Sequence, residues 1–178
     1  MIYGNKKVPW IVSDAVGFIE ENIKPTDSVF EYGSGGSTLW FAKKAQSVIS
    51  VEHDKGWATK ISSCAQENVK VLFIPPDEKL DKNYLSEAIK GKSFKSYASS
   101  IDCFSQFDWI IIDGRTRVWC AKHALCKIKK FIVLDDSDRS YYSEVHEIMK
   151  GFKRRVFSGD LATGPNGMYN ETTIWEME

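Results

Sequence analysis

The sequence predicts an α/β fold: a seven-stranded, mostly parallel sheet with helices on both faces and a C-terminal antiparallel hairpin. Three observations lead there. Five short runs rich in Val, Ile and Phe recur along the chain, SVFEYG (28–33), SVISVEHD (47–54), VKVLFIPP (69–76), FDWIIIDG (107–114) and KFIVLDD (130–136), each ending in Gly, Pro or acidic residues. Continuous apolar runs suit strands buried on both faces of a parallel sheet. Amphipathic stretches separate these runs, which is the rhythm of βαβ units. Finally, KRRVFSG (153–159) and TTIWEME (172–178) read as two more strands, joined by a Gly- and Pro-containing segment that suits a hairpin loop.

Taken in order, the first element is a helix. Val12, Ala15, Val16, Ile19 and Ile23 repeat at helical spacing after Ser13, a candidate N-cap, and Pro25 stands just beyond. Residues 1–27 are thus read as an N-terminal helix with a lid segment before it. TLWFAKKA (38–45), KGWATKISSCAQEN (55–68), TRVWCAKHALCKI (116–128) and SYYSEVHEIMKG (140–151) are long enough for crossover helices and carry apolar residues at helical spacing. The longest connection, 77–106, is polar and Lys-rich and is read as a substrate-side insertion with a helix at 83–89.

A chain of 178 residues can bury a core without disulfides or metals, so a single domain over 1–178 is expected. Apolar residues at 43% and charged residues at 27% fit a soluble globular protein. Lys plus Arg and Asp plus Glu are 24 each, so no one-signed field marks a nucleic-acid binder. Nucleic acid is therefore not expected as a partner. No stretch approaches the roughly 20 apolar residues needed to span a bilayer, and the N-terminus has no signal-peptide core. No membrane partner and a cytoplasmic location are expected. Cys64, Cys103, Cys120 and Cys126 form no CxxC pair and are read as reduced thiols.

The most informative segment is Glu31-Tyr32-Gly33-Ser34-Gly35-Gly36-Ser37-Thr38, which ends the first strand and opens a helix. In open α/β sheets, ligands bind at the carboxyl ends of strands near the point where strand order reverses. Glycines there let backbone approach a ligand closely. A dinucleotide site would want G-x-G-x-x-G, but the position of its last glycine is Thr38. Glu31 would repel a pyrophosphate, yet it suits a ligand carrying an ammonium and a sulfonium, as adenosylmethionine does. Glu52 ends the second strand about twenty residues on, where a carboxylate can accept both hydroxyls of a ribose. The alternative is that Glu31 and Glu52 only cap strand ends around a glycine turn.

On these residues the chain resembles the class I adenosylmethionine-dependent methyltransferases. FEYGSGGSTLWFA, SVEHDKGW, IIIDGR and VLDDSDR look like those of a bacterial subgroup of small methyltransferases, over roughly residues 10–178. The resemblance implies a Rossmann-like methyltransferase fold. It implies that Glu31 contacts the methionyl ammonium, that Gly33, Ser34, Gly35, Ser37 and Thr38 border the cofactor, that Glu52 holds the ribose and that His53 flanks adenine. Two departures stand out: Ser37 replaces the family's third glycine, and Pro75, Pro76 and Asp77 follow the third strand where an acidic or amide residue is usual. Such folds often place a lid where Trp10 stands, which makes Trp10 a candidate substrate contact.

The fourth and fifth strands end in Asp113-Gly114-Arg115 and Asp135-Asp136-Ser137-Asp138-Arg139. Asp113, Asp135 and Asp136 are the catalytic candidates, because a carboxylate can take the proton of an acceptor hydroxyl attacking the methyl carbon. The same three are candidate Mg²⁺ ligands, as in the catechol-type O-methyltransferases that this arrangement resembles. Asp135 and Asp136, being adjacent, should point to opposite sides unless the strand has already ended. Arg115, Arg117 and Arg139 are salt-bridge partners for these carboxylates or else contacts for a carboxylate or phosphate on the acceptor, with Arg115 and Arg139 the substrate candidates. The function expected is methyl transfer from adenosylmethionine to a small molecule, O-methylation favoured. The alternatives are a non-catalytic adenosyl- or partner-binding module and an NAD-dependent oxidoreductase.

Overall fold

The computed structural model describes residues 8–162 and 169–177. Helix α1 (Ser13–Asn22) leads into strand β1 (Ser28–Tyr32), helix α2 (Gly36–Phe41), strand β2 (Ser47–Glu52), helix α3 (Lys55–Cys64) and strand β3 (Val69–Phe73). After the long connection with its short helix α4 (Lys95–Ala98) come β4 (Phe107–Ile112), α5 (Arg117–Ala124), β5 (Ile128–Asp135), α6 (Ser143–Ile148), β6 (Lys153–Asp160) and β7 (Tyr169–Glu176). The strands form one sheet in the order β3-β2-β1-β4-β5-β7-β6. β1 to β5 are parallel, and β7 runs antiparallel to both β5 and β6. The expected seven strands and closing hairpin are present.

Alternation along the central strands divides the core in two. Phe30, Tyr32, Ile110, Ile112, Ile132 and Leu134 face one way, onto Phe94, Tyr97, Ile101, Cys120, Ala121 and Val145. Val29, Trp109, Ile111 and Val133 face the other way, onto Val16, Ile19, Trp40 and Phe41. Helices are needed on both faces because both carry apolar side chains. Helix α1 begins at Ser13, which makes no side-chain capping bond, so the expected N-cap at that residue is not formed.

The connection 77–106 differs from its sequence reading. No helix forms over 83–89; a 3₁₀ turn occupies Lys82–Tyr84, and helical structure appears later, at Lys95–Ala98 and Ser99–Cys103. Local side-chain bonds compete with the helix: Asp81 accepts from the Asn83 N–H and Ser86 from the Ala88 N–H. Phe94, Tyr97 and Ile101 are fully buried. The segment thus supplies the core layer over β1 and β4, the place that a crossover helix takes elsewhere in the sheet.

Strand order reverses between β1 and β4, since the chain leaves β1 towards β2 and returns to β4 on the other side. That opens a crevice at their carboxyl ends, where open α/β sheets bind ligands. The Gly33 N–H donates to the Val51 carbonyl and the Asp113 N–H to the Tyr32 carbonyl, which draws the loops after β1 and β4 together. Gly33 adopts φ 97°, and a Cβ there would lie 2.8 Å from the Asp113 carbonyl oxygen. Only glycine fits that crossing.

Candidate functional site

The loop after β1 is organised around Glu31. Its carboxylate is fully buried and accepts hydrogen bonds from the hydroxyls of Ser37, Thr38 and Ser50. Among the described residues no cation pairs with it, and burial pushes its carboxyl up to about 7, against the opposing pull of those hydroxyls. Thr38 Oγ1 in turn accepts from the Gly35 N–H at 2.9 Å, so the buried acid fixes the start of α2. Ser34 is held at three points: its N–H donates to Glu52 Oε2 (3.2 Å), its hydroxyl meets Ser50 (2.8 Å), and its carbonyl accepts from the Trp57 indole N–H (2.6 Å).

Glu52 closes β2 and gathers donors. Oε1 accepts from the backbone N–H of His53 (2.7 Å) and of Asp54 (2.8 Å) and lies 2.7 Å from His53 Nδ1. Burial works against the charged form, but these donors outweigh it and hold the carboxyl below its ordinary range. Arg115 Nε–H donates to His53 Nε2 at 3.3 Å. Because a guanidinium only donates, Nε2 is the acceptor and the ring proton sits on Nδ1, facing Glu52. Glu52, His53 and Arg115 therefore form a chain from the end of β2 to the loop after β4.

These elements enclose a cavity of about 650 Å³ lined by Gly33, Ser34, Gly35, Gly36 and Ser37, by Glu52, His53, Asp54 and Trp57, by Asp113, Gly114 and Arg115, and by Val8 and Trp10. Such a volume is that of a small-molecule or cofactor site. Trp10 is 46% exposed at its rim. Of the expected cofactor residues, Gly33, Ser34, Gly35, Ser37, Glu52 and His53 line the cavity, while Glu31 and Thr38 lie beneath the loop. Leu39, Ile61 and Cys64 complete the wall beside Trp57. None of residues 77–106 lines it, so the expected substrate-side insertion does not reach this cavity. Tyr97 nevertheless backs the site, since a Cβ on Gly114 would lie 2.0 Å from its hydroxyl. Of the segment that joins the two hairpin strands, 163–168 lie outside the described residues, as do residues 1–7 of the N-terminal segment.

Asp113, Asp135 and Asp136 do converge, with one oxygen of each within 4.8 Å of the others. Asp135 is the last residue of β5, and Asp136 turns into a left-handed conformation at φ 51°, so the two do not splay apart as strand neighbours would. The buried Arg117, however, already occupies the cluster. Its Nη2 lies 2.9 Å from Asp113 Oδ1 and 3.2 Å from Asp136 Oδ2, and its Nε donates to the Gly114 carbonyl at 3.2 Å. The Asp135 carboxylate accepts from Asn170 Nδ2 (3.1 and 3.3 Å) and Thr172 Oγ1 (2.9 Å). A guanidinium neutralises the acids and protein donors cover Asp135, so the residues present do not fit the expected Mg²⁺ site.

Only Asp113 of the three lines the cavity; Asp135, Asp136 and Arg139 do not. Arg139 pairs with Asp136 at 2.8 Å. Burial raises the Asp113 carboxyl above its ordinary range, with Arg117 opposing and Asp136 adding to the rise. For Arg117 the salt-bridge alternative is the one the structure forms. One residue of consequence was not singled out from the sequence: Trp57 looked like one more core tryptophan, and nothing local announces that a helical Trp bonds a loop carbonyl 23 residues away.

The sheet order, the hairpin and the crevice define the class I adenosylmethionine-dependent methyltransferase fold. Solved structures agree with it. A methyltransferase-like protein from Silicibacter pomeroyi is 23% identical with a TM-score of 0.57, over 89% of this chain and 84% of that one. Precorrin-6y C5,15-methyltransferase from Geobacter metallireducens reaches a TM-score of 0.64 at 12% identity, over 92% and 86%. A Streptococcus mutans protein, SMU.1697c, solved in complex with SAH, has a TM-score of 0.57 at 10% identity, over 90% and 94%. Neither a family model nor a curated protein matches the sequence. Among the described residues, no helix is long and apolar enough to cross a membrane.

Proposed function

We propose that this chain transfers the methyl group of adenosylmethionine to an oxygen of a small-molecule acceptor. The observation behind this reading is the cavity at the β1–β4 crevice, which the glycine loop and the acids Glu52, Asp54 and Asp113 line together. The residues suit this cofactor. Acidic side chains favour a ligand bearing a sulfonium and an ammonium, and Gly35 leaves room, since a Cβ there would meet nothing closer than 3.8 Å. Among the described residues Glu52 Oε2 accepts only the Ser34 N–H, so it retains capacity for a ribose hydroxyl. Trp57, Ile61 and Cys64 offer a largely apolar wall on the α3 side.

Adenosylmethionine supplies a methyl carbon activated by its sulfonium. The protein's part is to hold the acceptor in line and to receive its proton. Asp113 is placed for that second task, and its raised carboxyl makes it a better base than an ordinary aspartate. Asp135 and Asp136 set the surroundings through Arg117 and do not border the cavity. Trp10 and Val8 close the rim from the N-terminal side.

The test is SAH release from adenosylmethionine across a panel of phenols, sugars and hydroxy acids. On a true acceptor, Asp113→Asn should lower turnover by about 10²–10⁴ while leaving cofactor affinity intact. An unchanged rate would remove Asp113 from the chemistry. Cofactor binding with no turnover on any acceptor would favour an adenosyl-binding module instead.

A further inference from the structure

We propose that Arg115 is the docking point for an oxyanion, a carboxylate or phosphate, on the acceptor. The inference rests on the reading of the cavity as a methyltransferase site and names the class of molecule it receives. Three arginines follow the ends of β4 and β5, and two are neutralised: Arg117 pairs with Asp113 and Asp136, and Arg139 with Asp136. Arg115 lines the cavity and makes no ion pair among the described residues. Its one side-chain hydrogen bond there is from Nε to His53 Nε2. The nearby acid, Asp113, is engaged by Arg117 instead.

The guanidinium is held rather than loose. The bond from Nε to an imidazole that is itself fixed by Glu52 sets the plane of the group, so the terminal Nη atoms keep their donors for a ligand. A planar fork of N–H donors matches the two oxygens of a carboxylate or phosphate. Orienting it in advance lowers the entropy cost of binding. An anion docked at Arg115 would leave the rest of the acceptor beside Asp113, two residues earlier on the same cavity wall. A hydroxy acid or a phosphorylated polyol has that layout: one end anionic, the other a free hydroxyl to be methylated.

The carboxylate of the cofactor itself is the other possible source of the anion. The chain Glu52–His53–Arg115 places Arg115 at the ribose end of the site. In adenosylmethionine the transferable methyl sits on the sulfur next to the ribose, whereas the carboxylate lies at the far end of the methionyl chain. The acceptor is therefore the better match.

The experiment compares the full wild-type chain with Arg115→Gln and Arg115→Lys by calorimetry. Each is titrated first with SAH and with 5′-methylthioadenosine, which lacks the methionyl carboxylate, and then, saturated with SAH, with acetate and with inorganic phosphate. Expected is SAH affinity unchanged within about twofold in both variants, with anion binding to the SAH complex weakened at least about tenfold in Arg115→Gln, a loss of about 1.4 kcal/mol. Arg115→Lys, which keeps the charge and loses the fork, should fall between. Loss of SAH affinity with 5′-methylthioadenosine unaffected would assign Arg115 to the cofactor and overturn the proposal. So would wild-type and Arg115→Gln complexes that respond equally to both anions. Failure of the wild type to bind SAH at all would instead overturn the proposed function, and it is seen before any anion is added.

Discussion

Glu31 is a buried carboxyl that pairs with no cation among the described residues, and it makes the glycine loop sensitive to pH. Its folded value of about 7 lies above the ordinary 4.5, so the folded state holds a proton that the unfolded state releases. The stabilisation that follows is fully present below about pH 4.5 and is lost as pH rises to about 7. A carboxyl displaced that far corresponds to roughly 3 kcal/mol. Glu31→Gln keeps the shape and cannot ionise, and the three hydroxyls around it can rotate to suit an amide. Urea unfolding at pH 5 should find the variant close to wild type; at pH 8 the variant should be the more stable. Parallel pH profiles for the two proteins would show that Glu31 does not titrate in this range. From the sequence, the type and position of Glu31 pointed to a ligand contact. Its place under the loop depends on Ser50, a residue on the neighbouring strand, and no local pattern reveals that pairing.

The elements β4, α5 and β5 are joined at their functional end by Arg117. From the first turn of α5 its guanidinium reaches Asp113 after β4 and Asp136 after β5, with only 7% of the side chain exposed. Removing one member of a buried ionic group leaves its partners uncompensated, at a cost of about 3–5 kcal/mol. Arg117→Met should lose stability on that scale in urea melts, and a loss below about 1 kcal/mol would show the network to be largely solvated. The strand ends themselves were legible, since each apolar run stops at Gly, Pro or acid. The acidic cluster was legible too, and Arg117 stood among its candidate salt-bridge partners, but which acids it joins was not: the left-handed turn at Asp136 and the reach of Arg117 arise only once β4 and β5 lie side by side. The connection 77–106 failed for a similar reason. Its apolar residues Phe94, Tyr97 and Ile101 follow no clean period, because they fill a gap over β1 and β4 shaped by the whole sheet.

At the scale of the molecule, the fold follows from patterning. Apolar runs alternate with amphipathic stretches, and five parallel strands with a terminal hairpin leave one crevice where strand order reverses. The glycine loop and Glu52 were readable as cavity residues because close approach and strand-end acids leave marks in sequence. Trp57 and the orientation of Arg115 leave none. The loops after β1, β2 and β4 converge on the cavity at that crevice, and the acids among its lining residues favour a sulfonium ligand over a pyrophosphate. Calorimetric titration of the full chain with SAH, adenosylmethionine and NAD tests this most directly. Micromolar binding of both adenosyl ligands is predicted, about 8 kcal/mol, with NAD at least a hundredfold weaker, about 3 kcal/mol. Tighter binding of NAD than of either adenosyl ligand would contradict it.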